Sequence, residues 1–390
     1  MAPHASVPPA RRTAPTDPAP VGELVVAPVT ITPTKPLTPT HVKGLLWTDV
    51  LVKASARVGG VRLVWNNRMA TVTTQATAFW HHLDLTEPDT DWSRESDLRI
   101  GERYVRFHSE RRDTDRRAIG DYLTRADQEG WIHPAGRRML DLWSAQLDQL
   151  GVAELGLGVD RPLATGAQAM VDALADRGLL VDHRRFGGPV HLDGPRWGLP
   201  LRRLIGDDGH PNYLLPILRE LVPLIQPGRL FLLVHDDDIA ADYLLLDRVL
   251  TEFGARTARL PLSRVPVGGA PRSSRHGGWH GTTLGDLAAT EGTVDRAAYR
   301  LGMRLYFAGT LHRRSAQPFR MSLLRRCVGR AARLLGRTPT DGTNASVPSL
   351  AATLSLLRTQ QGYVDPYRLT ATLLGKRSGP PAPELRAIYT

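Results

Sequence analysis

Thr38, Thr40 and His41, within PTKPLTPTHVKGLLWTD (residues 33–49), are the side chains whose types and spacing best suit phosphate chemistry. They sit in a Pro/Thr turn after a Val-, Ile- and Thr-rich run (24–32). They also open an amphipathic stretch with apolar residues at Val42, Leu45, Leu46, Val50 and Leu51. Strand, turn and helix in that order aim free backbone N–H groups and a positive dipole end at an anion. Hydroxyls and an imidazole there suit an ATP α- or β-phosphate, although an ordinary βα connection has the same pattern. A second cluster is HDDD (235–238) after an apolar run, where Asp236 and Asp237 could accept from ribose hydroxyls or cap the next helix. Asn66 closes another apolar run, at the end of the sheet that presents ligand residues in such folds.

The elements that would hold these groups follow from pattern. Residues 24–83 read as βαβ, with the second strand at 61–66. Residues 91–150 are charged and helical, and with a helix at 163–180 and short strands at 190–192 and 197–204 they interrupt the sheet. The sheet resumes at 229–234, an apolar run suited to a buried parallel strand, followed by a helix at 235–253 and a last strand at 257–262. A Gly-rich loop (266–281) leads into basic helices from 282. The expected fold class is α/β, a Rossmann-like parallel sheet with a helical insertion at about 84–190 and a C-terminal helical segment. Its expected parts are a disordered Pro/Ala-rich extension (1–22), a nucleotide-binding catalytic domain (23–281) and a basic helical region (282–390).

Composition narrows the function. The 390 residues suffice for one large or two ordinary domains, and 42% hydrophobic content is normal for a globular protein. No apolar run reaches membrane-spanning length and no signal-peptide core opens the chain, so a cytoplasmic protein without membrane partners is expected. Cys327 is the only cysteine, which excludes an intrachain disulfide and a thiolate zinc cluster. The adjacent His81 and His82 point to different helix faces, so no metal site is expected. A net charge of +11 suits a nucleotide, nucleic acid or another polyanion. Arginine carries nearly all of it, the lysines being Lys35, Lys43, Lys53 and Lys376.

Residues 33–49 resemble the first signature of class I aminoacyl-tRNA synthetases, P-T-x-P-L-H-x-G-H-x-(K/R)-G and a following Asp. Pro33, Thr34, Pro36, Leu37, His41, Lys43, Gly44 and Asp49 match, while Thr38 and Thr40 replace a His and a Gly. GDDGHPNY (206–213) is similar to the family's D-G-x-P-x-Y through Asp208, Gly209, Pro211 and Tyr213. HDDD corresponds to its G-x-D-x, with Asp237 as counterpart and Asp236 beside it. GGAPRSSRHGGWHGTTLGDL (268–287) resembles the K-M-S-K-S loop and its T-x-x-D-L element through Ser273, Arg275, His276, Gly277, Thr283, Asp286 and Leu287. Ala270 and Ser274 stand where the lysines would be. His312, Arg313, Pro318, Phe319 and Ser322 are similar to a further helical segment.

The resemblance implies a HIGH-type nucleotidyltransferase fold, with ATP and Mg2+ as cofactors. Phosphates would meet His41, Thr38, Thr40 and Lys43, ribose Asp237 with Asp236, and the leaving pyrophosphate Ser273, Arg272, Arg275 and His276. Asn66, Asp208 and Tyr213 would shape the amino-acid side. Three functions remain open: activation of an amino acid or other carboxylate for transfer to tRNA or a small amine, a non-catalytic nucleotide or tRNA binder, and an aminoacyl-tRNA-dependent transferase.

Overall fold

The computed structural model describes residues 21–110, 116–152, 157, 161–268, 277–290, 294–336, 350–375 and 383–390. Strand β1 (Glu23–Pro28) is apolar and buried on both faces, which makes it central. Helix α1 (Pro39–Ser55) starts where Thr38 turns extended as N-cap and Pro39 presets the first helical φ. It returns the chain to β2 (Gly60–Leu63), which pairs parallel with β1. This strand is shorter than the 61–66 expected. The Asn66 side chain accepts from the Arg68 N–H and Asn67 accepts from Trp65 Nε1, so the pair turns the backbone instead of extending it.

The insertion holds α2 (Arg68–Thr71), α3 (Thr74–Thr86), α4 (Asp97–Glu110), α5 (Arg116–Thr124), α6 (Pro134–Leu150) and α7 (Ala167–Ala175). It also contains an antiparallel sheet of β3 (Leu180–Asp182), β4 (Val190–Leu192) and β5 (Arg202–Ile205), in that order. The helix expected at 163–180 is shorter. Gly178, at φ 63°, reverses the chain after α7, and Leu180–Asp182 pairs with β4.

Helix α8 (Leu214–Leu221) then leads to β6 (Arg229–Asp236), a single 3-10 turn, α9 (Ala240–Glu252) and β7 (Arg256–Leu262). The main sheet has the order β2-β1-β6-β7 and is parallel throughout, the α/β Rossmann-like arrangement expected. Alternate residues of its central strands feed opposite layers. Val25, Ala27, Phe231 and Leu233 pack with α8 and α9 side chains, whereas Leu24, Val26, Leu230 and Leu232 pack with Trp47 and Leu51 of α1. Beyond β7 come α10 (Leu284–Thr290), α11 (Arg296–Arg304), α12 (Met321–Leu335), α13 (Leu350–Leu356), α14 (Pro366–Ala371) and α15 (Pro383–Tyr389). Fully buried Arg304 of α11 donates to Asp49 of α1 at 2.5 Å, and Lys53 lies 3.1 Å from the other carboxylate oxygen. Asp49 thus locks the helical region onto the sheet.

Candidate active site

At the first turn of α1, His41 Nδ1 accepts from the Thr38 backbone N–H at 3.1 Å, with the Thr38 hydroxyl 3.2 Å from the same nitrogen. A backbone amide only donates, so the ring proton sits on Nε2. Burial, then the charges of Lys35 and Arg264, push the imidazole from 6.5 to about 3. His41 therefore meets its surroundings as a neutral Nε2–H donor. Thr38 is spent on orienting this ring and does not line the cavity that His41 faces.

That cavity, of about 150 Å³, lies over the C-terminal ends of β1 and β6, with Lys35, Thr40, His41, Gly44 and Asp236 in its wall. Lys35 is 8% exposed, its ammonium 5.2 Å from the Tyr104 ring centroid. Its turn is braced by α4 at Gly101, where an added Cβ would fall 2.6 Å from Pro36 Cδ and 3.5 Å from Lys35 Cα. Only glycine permits that approach. Gly44 is the reverse case: a Cβ there meets nothing within 4 Å, because it would enter the cavity. Asp236 faces this space at the end of β6, and burial first, with Asp238 and Asp237 behind it, lifts its carboxyl from 3.8 to about 6 against the pull of Arg264 and Lys35.

Several expected site residues are placed elsewhere. The Asp237 carboxylate accepts from the Ser263 hydroxyl and lines a separate hollow with Asp238 and Arg264, so Asp236 is the carboxylate that shares a cavity with His41. Lys43 is buried, donating to the carbonyls of Ser263, Arg313 and Ser315 at 2.9, 3.3 and 3.5 Å, and burial lowers it from 10.5 to about 8. It fastens α1 to two later segments and does not line the cavity. Thr40 does line it, while its Oγ1 accepts from the Val265 N–H at 3.1 Å. Asn66 is 1% exposed and donates to the Arg161 carbonyl and Glu220, lining neither cavity described here.

A second cavity of about 430 Å³ shares Val29, Thr30 and Thr32 with the first, so the two adjoin along the segment leaving β1. Asp208 and Tyr213 line it, as do Arg203 and His210. Tyr213 donates its hydroxyl to Asp242 at 2.5 Å, leaving its ring to form the wall. Ser273, Arg272, Arg275 and His276 lie outside the described residues. The flanks of their loop are described, and both reach the first signature. Val265 bonds Thr40, Trp279 comes within 3.0 Å of a Cβ built on Gly101, and the Leu284 N–H donates to the Leu37 carbonyl at 2.8 Å. Thr283 and Asp286 form a reciprocal cap on α10, which accounts for the T-x-x-D spacing. Among the described residues, no group of three or more His, Cys, Asp or Glu could hold a metal ion. Among them too, no helix is long and apolar enough to cross a membrane.

Lys35 is the site residue that sequence reasoning missed. Its signal was its place inside the first signature of a lysine-poor chain.

No protein-family model and no curated protein matches the chain. Solved structures do. A Campylobacter jejuni protein described as an arginyl-tRNA synthetase superposes with a TM-score of 0.50 at 14% identity, over 77% of this chain and 65% of its own. Arginyl-tRNA synthetase from Plasmodium falciparum gives 0.50 at 12% identity, over 78% of this chain and 55% of its own. The fold is class I synthetase-like. At these identities the likeness concerns the fold alone, and the chain spans 55–65% of the length of these two structures.

Proposed function

We propose that this chain is an ATP-dependent enzyme that activates an amino acid or other carboxylate as its adenylate, for transfer to tRNA or a small amine in the cytoplasm. The observation that carries the reading is the shared cavity: the neutral Nε2–H of His41 and the ammonium of Lys35 line the same space as the Asp236 carboxylate, and it adjoins a second, larger cavity.

The donor set fits the nucleotide. Open space at Gly44 admits it, and a cation, a neutral donor and the helix N-terminus suit phosphate oxygens. ATP, with Mg2+, supplies the activated α-phosphate and pyrophosphate as leaving group. His41 orients the phosphates through Nε2–H without adding charge. Lys35 supplies positive charge that the loop lacks at Ala270 and Ser274, and electrostatic stabilisation of this type is commonly the largest catalytic contribution. Asp236 accepts from ribose hydroxyls. Tyr213 and Asp208 form the wall against which the carboxylate substrate is held, while Arg272, Ser273, Arg275 and His276 complete the pyrophosphate side.

ATP–pyrophosphate exchange with a panel of amino acids tests this. Exchange should appear with at least one of them and vanish in His41→Ala. A second reading, a non-catalytic nucleotide or tRNA binder, is favoured by the engagement of Lys43 and Thr40 in bonds to the loop's root. Absence of exchange with every amino acid, alongside measurable tRNA binding, would point to that reading instead.

A further inference from the structure

Most polar side chains in the wall of the second cavity are already engaged by the protein. Thr73 Oγ1 donates to the Ala70 carbonyl at 3.1 Å and accepts from the Ala76 N–H at 3.3 Å. Thr74 Oγ1 donates to the Pro211 carbonyl at 3.3 Å, and Gln75 Nε2 to the Tyr104 hydroxyl at 2.5 Å. Asn212 is spent at both ends, its Nδ2 donating to the Arg203 carbonyl and its Oδ1 accepting from the Leu214 N–H at 2.7 Å. The Tyr213 hydroxyl is held by Asp242, which does not line the cavity, so only the ring is offered to a ligand.

The carboxylates at this site are committed as well. Asp208 Oδ1 accepts from the His210 N–H at 3.0 Å and its Oδ2 lies 3.4 Å from His210 Nδ1, while Asp242 also accepts from Arg202 at 2.7 Å. A cationic side group entering here would lose its hydration without meeting an uncommitted carboxylate. Arg203 is exposed and keeps its charge in water, where an ion pair with an acidic side group contributes little. Val29, Met69, Pro211 and Ile239 remain, together with the Tyr213 ring, and these favour a hydrocarbon surface. Val29, Thr30 and Thr32 form the edge common to both cavities, where a carboxylate would have to meet the nucleotide. The rest of such a molecule extends into the larger space. We propose that the second cavity holds an apolar side group, so that the carboxylate activated bears a hydrocarbon or thioether side chain and not a basic or acidic one. This rests on the reading of the paired cavities as an adenylation site and names the substrate class of that reading.

The test is ATP–pyrophosphate exchange by the full-length chain with methionine, lysine, glutamine and glutamate, which have similar reach and different polarity. Leucine, phenylalanine, arginine and aspartate extend the two extremes. The highest kcat/KM should belong to an apolar amino acid and exceed that of each charged one by about 100-fold or more. A best substrate with a charged or amide-bearing side chain overturns the assignment and leaves adenylation standing. Ile239→Ala should raise KM for the best substrate about tenfold or more, with KM for ATP unchanged, because Ile239 lines the second cavity and not the first. An unchanged KM for that substrate, or an equal rise in both, also overturns it. Should the variant fail to fold, the wild-type ranking decides alone. Absence of exchange with every amino acid is a different result: it brings down the adenylation reading, and this inference falls with it.

Discussion

Gly44→Ala should make the protein more stable and less able to bind ATP. Gly44 lies inside α1, where glycine costs about 1 kcal/mol relative to alanine, and its φ is not in the left-handed region. A Cβ there would touch nothing within 4 Å, so no clash cancels the gain. The variant should therefore melt about 1–2 °C higher, given how little 1 kcal/mol moves a chain larger than 250 residues. The same methyl group projects into a cavity of about 150 Å³. If the nucleotide fills that space, an added methyl costs about 1–3 kcal/mol of fit, or about 5- to 150-fold in ATP affinity. Scanning calorimetry and ATP titration on one preparation give both quantities. A variant that melts higher and binds ATP as wild type does would show that the nucleotide does not occupy this cavity. A lower melting temperature would refute the open space at Gly44.

Lys35→Ala should slow pyrophosphate exchange by about 100-fold or more while shifting the melting temperature little, and a rate near wild type would remove Lys35 from phosphate stabilisation. Asp236→Asn should gain stability relative to wild type as pH rises. Folding raises this acid from 3.8 to about 6, so the native state holds the proton more tightly and wild-type stability falls between those pH values, by at most about 3 kcal/mol at 1.36 kcal/mol per pH unit. Urea unfolding of both proteins at pH 4 and pH 7 measures this, and a stability difference independent of pH would contradict it. Gly302→Ala should destabilise by about 1–3 kcal/mol, because its Cβ would lie 2.6 Å from Val328 Cα across the α11–α12 contact, and an unchanged urea midpoint would disprove that approach.

The parallel sheet was legible because its central strands are short apolar runs and because a proline and a threonine mark the start of α1. Strand ends were not. β6 continues through His235 and Asp236 because β7 pairs with it as far as Leu262, and that partner is invisible in the local pattern of HDDD. One residue of register decides which of Asp236 and Asp237 faces the cavity, since successive side chains alternate. His41 was readable from its motif, whereas Lys35 depends on Tyr104 and Gly101, which belong to α4 some 65 residues later in the chain. Tyr213 was read as a pocket residue and lines one. Its hydroxyl is committed to Asp242, an acidic residue whose partner also includes Arg202, and no sequence pattern discloses that bond.

Thr40 does two jobs with one side chain, and the second limits what can be changed at that position. Its hydroxyl moors the root of the Gly/Ser/Arg-rich loop to the first turn of α1, assisted by Lys43 on the Ser263 carbonyl. Thr40→Gly would widen the cavity and cut that mooring at once. Any substitution that removes this hydroxyl must supply a new anchor for the segment entering the loop, or room gained in the cavity is offset by slack at Val265.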